Sequence, residues 1–143
     1  MYEEVMRVPM IWSWLGKLPV ESVRTELVSF YDFLPSVCQI AGVPVPKGRN
    51  LCGRSYTPLA LNYPLPKKQP WPTTVFGHFR NTEMARDRRY KLVLRNQGAG
   101  PNELFDLGAD PGERVNQYDN ERFRSVREEL ARELEAWRAA TQS

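Results

Sequence analysis

The sequence predicts an α+β arrangement within the α/β class: a small antiparallel β-sheet packed by a C-terminal amphipathic helix and preceded by a strand and helices. Three observations carry this expectation. Phe123, Val126, Leu130, Leu134 and Trp137 recur every three or four residues, the spacing that puts apolar side chains on one helical face. Three stretches between Thr73 and Leu107 alternate from residue to residue, as strands with one buried face do. The 12 prolines concentrate between Pro44 and Pro72 and divide the chain into a leading and a trailing part.

The 143 residues suffice for one or two compact units. Net charge is +3, but 20 basic residues are mixed with 17 acidic ones, so no single-sign field suited to nucleic acid emerges. Val8 to Leu15 is broken by Pro9 and Ser13 and is far short of a bilayer span. No signal peptide is visible either, so the expectation is a soluble chain without a membrane partner. Cys38 and Cys52 are too few for a disulfide framework.

Within the leading part, Val8 to Trp14 is rich in β-branched and aromatic types and reads as a short strand, with Trp12 and Trp14 packing on one face. From Ser29 to Ala41, Phe30, Phe33, Leu34, Val37, Cys38 and Ala41 fall at helical spacing and predict a helix with that face buried. Ser29 and Asp32 offer a capping box, Pro35 moves the regular helix toward Asp32, and Gly42 with Pro44 supplies the stop. Cys38 on this stripe reads as an inert core residue, because no base lies near it in sequence. Ser55 to Leu61 predicts a short helix with Pro58 in its first turn, and the prolines from Tyr63 to Pro72 predict an extended surface connection.

The trailing part begins with a strand from Thr73 to Arg80, in which His78 and Arg80 share a face. Arg89 to Arg95 is a second strand, joined through Asn96 to Pro101 as a hairpin to a third at Glu103 to Leu107. Asp110-Pro111-Gly112 then favours a tight turn. In the final helix, Glu128 and Arg132 are spaced for an ion pair on the solvated face.

The run Asn102 to Asn116 resembles a landmark near the C-terminus of sulfatases. The matching residues are Leu104, Phe105, Asp106, Leu107, Asp110, Pro111, Glu113 and Asn116. Tyr2-Glu3-Glu4 with Arg7-Val8-Pro9 is similar to the family's segment just after its active-site lysine. Asp32-Phe33-Leu34-Pro35-Ser36 with Ala41-Gly42-Val43 is similar to its following helix, and Gly53-Arg54-Ser55 with Pro58-Leu59 to the next. The resemblance is to the C-terminal portion of an arylsulfatase-like protein of alkaline-phosphatase-type fold. It implies that residues 1–66 are a remnant of the main α/β domain and residues 67–143 the C-terminal subdomain.

Sulfatases, the resemblance further implies, use a formylglycine made from the Cys or Ser of a C/S-x-P/A-x-R motif together with calcium. Here Cys38 is followed by Gln39-Ile40-Ala41 and Cys52 by Gly53-Arg54-Ser55, so neither begins the motif. Paired aspartates for a hard cation are missing as well. The expectation is therefore a sulfuric ester hydrolase fragment, inactive alone, without catalytic or metal residues, whose partner is the missing N-terminal portion. His78, the one histidine, and Arg80 are its candidate substrate-binding residues, since an arginine can grip a sulfate through paired hydrogen bonds. The alternative is a stand-alone module binding nucleic acid or an acidic polymer through Arg86, Arg88, Arg89, Lys91 and Arg95.

Overall fold

The computed structural model describes residues 1–47, 51–95 and 100–141. Its elements include α1 (Glu3–Met6), α2 (Phe33–Ala41), α3 (Thr57–Ala60), β1 (Val75–Phe79), β2 (Thr82–Arg86), β3 (Tyr90–Arg95), β4 (Glu103–Asp106) and α4 (Arg124–Thr141), with single 3-10 turns at Phe30–Asp32 and Glu121–Phe123. Two compact units result. One joins Met1–Pro9 to Thr74–Ala140, and the other is built on Met10–Thr73.

In the first unit the four strands form an antiparallel meander in chain order. Register brings Phe76, Ala85, Leu92 and Leu104 into one row across all four strands. Leu130 and Leu134 of α4 close over that row, with Trp137 stacked on Phe76 at 5.3 Å between ring centroids. The predicted sheet and its covering helix are therefore present. The sheet gains β2, which sequence reasoning missed. The Asn96 to Pro101 hairpin falls largely outside the described residues, but Asn102 Oδ1 accepts from the Arg95 amide at 2.9 Å where the chain returns.

The opposite sheet face carries Met84, Lys91, Val93 and Phe105, all buried. Part of its cover is the N-terminal segment: Met1 and Met6 lie so close above Gly77 that a side chain there would meet both. This placement replaces the expected strand at Val8 to Trp14. Those residues are irregular and mostly exposed, and Trp12 instead packs its ring on Phe33 and Tyr56 within the second unit. Without a neighbouring strand to receive its backbone hydrogen bonds, a β-prone run has no ladder to join.

The second unit is organised by Asp32 and Ser36. Ser29 and Asp32 make the expected capping box, α2 starts one residue later with Pro35 in its first turn, and Gly42 ends it at φ 68°. Ser36 donates to the Asp32 carbonyl at 2.6 Å and accepts from the Tyr56 amide at 3.0 Å, which fastens α2 to the start of α3. The helix buries Pro35, Ser36 and Cys38. Of the apolar stripe expected inside, only Cys38 is buried; Phe30, Phe33, Leu34, Val37 and Ala41 face out. The proline-rich connection is also more tied down than an open linker: Trp71 Nε1 donates to Leu27 O at 2.7 Å, and Arg54 stacks over the Trp71 ring at 4.2 Å while donating to Pro70 O.

Candidate functional site

His78 lies on the edge strand β1, exposed, and opposite Glu83 of β2. Its Nδ1 is 3.6 Å from Glu83 Oε1. Glu83 is buried and also receives the Arg138 guanidinium, whose Nε donates to Oε1 at 3.0 Å and whose Nη1 bonds Glu135 of α4. Arg80 is not on the strand with His78. It occupies the turn after Phe79 with φ 56°, and its guanidinium lies 5.3 Å from the centre of the Phe79 ring. The structure thus gives His78 a carboxylate neighbour that sequence reasoning did not identify, and separates Arg80 from it by a change of backbone direction. An Arg at a left-handed position is uncommon and fixes the turn.

The most deeply placed charge is elsewhere. Lys91 is 0% exposed, and its ammonium meets the Glu113 carboxylate, Glu3 Oε1 at 3.3 Å and the Met1 carbonyl at 2.7 Å. Glu3 also receives Arg86 through Nε and Nη2, and its amide donates to Glu113 Oε2 at 2.6 Å. Burial favours neutral Glu3, but the hydrogen bond and charge of Arg86, with Lys91, outweigh it and hold the carboxyl below its ordinary range. Every charge in this cluster is opposed by another, so it binds the N-terminal segment to the sheet and leaves no reactive group available.

The landmark residues are likewise occupied. Arg89 grips Asp106 through two hydrogen bonds, at 3.0 and 2.8 Å, and this contact first of all holds the Asp106 carboxyl below its ordinary range. Asp110 accepts from the Val115 amide at 2.8 Å, which closes the Asp-Pro turn. Asn116 accepts from the Leu104 and Tyr118 amides and donates to Asn102 O at 2.9 Å, covering the outer edge of β4. Arg95 pairs with Glu103 at 2.7 Å. Arg86, Arg89, Lys91 and Arg95 are therefore each paired with a carboxylate, which counts against the polymer-binding alternative, while Arg88, its fifth residue, is exposed.

Among the described residues no group of three or more His, Cys, Asp and Glu is placed to hold a metal ion. Cys38 is buried in α2, Cys52 is exposed, and both are free thiols outside the modification motif. Burial pushes the Tyr56 phenol up to about 12, which keeps it protonated at neutral pH. Also among the described residues, no helix is long and apolar enough to cross a membrane.

Residues 1–140 match the family described as N-sulphoglucosamine sulphohydrolase, C-terminal. The chain belongs to the sulfatase family. It is 32% identical over 126 residues to arylsulfatase K of Gallus gallus, covering 81% of this chain and 23% of that protein. It is 30% identical over 134 residues to the Delta 4,5-hexuronate-2-O-sulfatase of Bacteroides thetaiotaomicron, covering 87% and 27%. A solved structure described in complex with its substrate D-glucosamine-2-N,6-O-disulfate superimposes with a TM-score of 0.67 at 24% identity, over 78% of this chain and 24% of that one. This sulfatase-family chain thus spans about a quarter of the length of these relatives.

Proposed function

We propose that this chain acts as the C-terminal part of a sulfuric ester hydrolase, supporting the enzyme's fold and bordering its substrate pocket. The observation that carries this reading is the family match over residues 1–140, in a chain whose landmark carboxylates and amide are committed to internal contacts. In the longer enzyme, residues 1–66 come from the main α/β domain and residues 67–143 form the C-terminal subdomain, with Met1–Pro9 packed in the same compact unit as the sheet of the latter. Formylglycine and calcium chemistry are supplied by the part that precedes them. His78 and Arg80 are the proposed substrate contacts: His78 is exposed on β1 with its Nδ1 3.6 Å from the buried Glu83 carboxylate, and Arg80 is exposed in the turn that follows. A sulfated sugar is the substrate class favoured by the relatives' names.

The test is turnover of aryl sulfate and sulfated hexuronate by the purified chain with calcium added. No hydrolysis above background is expected. Turnover abolished by Cys38→Ala or Cys52→Ala would place a nucleophile in this chain and overturn the reading.

A further inference from the structure

The outward stripe of α2 inverts the usual logic of an amphipathic helix. Its small residues Pro35, Ser36 and Cys38 face the unit's interior, whereas Phe30 is 76% exposed, Phe33 45%, Leu34 42% and Val37 37%. Trp12 touches Phe33, and on the same N-terminal stretch Ile11 and Leu15 are almost fully exposed. Single exposed apolar residues are ordinary, but a stripe at helical spacing above small residues turned inward is the kind of patch that marks a contact surface.

We infer that Phe30, Phe33, Leu34 and Val37 form the docking face for the sulfatase portion that precedes this region in the longer relatives. The inference rests on the proposed function and names the surface through which it operates. Three observations select this occupant. The matching family bears a C-terminal description, and about three quarters of the relatives' length lies outside the aligned region. The stretch Phe30–Ala41 has no Lys or Arg, which disfavours an anionic lipid surface. A stable interface between separate molecules needs roughly 800 Å² from each partner, more than four side chains provide. A segment of the same polypeptide loses little further translational freedom on docking, so a small apolar stripe is enough for it.

The test joins this chain behind the N-terminal portion of the Bacteroides thetaiotaomicron hexuronate sulfatase, in place of that protein's matched region. Benzoylphenylalanine is placed at position 33, or at position 128 on the exposed side of α4. Photo-crosslinks from 33 into the N-terminal portion, and none from 128, are expected. Crosslinks from 33 only between two copies, or none, overturn the surface. Turnover is read separately: an inactive chimera that crosslinks from 33 upholds the surface while the enzymatic reading fails, and an active chimera without that crosslink does the reverse. In the chain alone, the double variant Leu34→Asp, Val37→Asp is expected to bind less hydrophobic dye with unchanged melting. A large fall in melting temperature would assign the stripe to the chain's own core and overturn the inference.

Discussion

At Lys91 a full charge has left water entirely, and the carboxylates around it come from positions far apart in sequence, Glu3 and Glu113. Removing one member of such a cluster strands the others, at a cost of about 3–5 kcal/mol. Lys91→Met is therefore expected to lower the urea stability of the sheet unit by that order; a loss below about 1 kcal/mol, the range of exposed pairs, would show the cluster to be open to solvent. None of this was legible in the sequence, where Lys91 reads as the polar side of an alternating strand. The signal is tertiary, since the strand's second face is covered by residues 1–9. Gly53 is a second residue-scale case. A Cβ there would sit 1.8 Å from the Tyr31 carbonyl oxygen, so Gly53→Ala must push backbone from backbone. The variant is expected to lose the protection of the Ser36 and Tyr56 amides in hydrogen exchange, and native protection there would refute the close approach.

Among the elements, β4 shows how an edge strand is closed without another strand. The Asn116 carboxamide supplies the acceptor for Leu104 N, and Gln117 N donates to Leu104 O at 2.8 Å. Asn116→Ala leaves that amide without its acceptor and should cost about 1–3 kcal/mol, with faster exchange at Leu104. Asn116→Asp, which keeps the acceptor, should retain more of the protection; equal loss in both variants would assign the effect to the turn instead. The landmark was readable as strand, turn and helix because Leu104, Pro111 and Leu130 carry strong local signals. Its use of Asn116 as an edge cover was not, since that requires knowing which strand lies outermost. β2 escaped notice because Glu83 and Arg86 make Thr82–Arg86 look solvated. Both charges are instead held by partners distant in sequence, Arg138 and Glu3. The pair expected between Glu128 and Arg132 forms instead between Arg124 and Glu128 at 2.8 Å, the same spacing one turn earlier. The apolar character of the α2 stripe is legible in the sequence and its exposure is not, because periodicity identifies a face without saying which molecule or segment covers it.

For the whole molecule, the division into units predicts unequal responses to acid. Glu3 and Asp106 have folded pKa values below their ordinary ones, so their stabilisation is present above the unfolded pKa and is lost as pH falls through the folded value. Asp32 is raised, chiefly by burial, so its ionised form opposes folding above the folded pKa and that penalty is relieved as pH falls. Urea melts at neutral pH and below about pH 4, the ordinary carboxylate range, should show the sheet unit weakening through Trp137 fluorescence. The unit containing Trp12 and Trp71 should weaken less, and parallel losses would contradict the assignment. Deleting Met1–Pro9 should likewise lower the melting of the sheet unit, because Glu3 leaves with the segment. Whether this chain serves as a sulfatase C-terminal part is decided by hexuronate sulfate turnover in the Bacteroides thetaiotaomicron enzyme carrying this chain in place of its matched region. Turnover well above that of the same enzyme truncated before the region is expected. A folded chimera no faster than the truncated enzyme would contradict it.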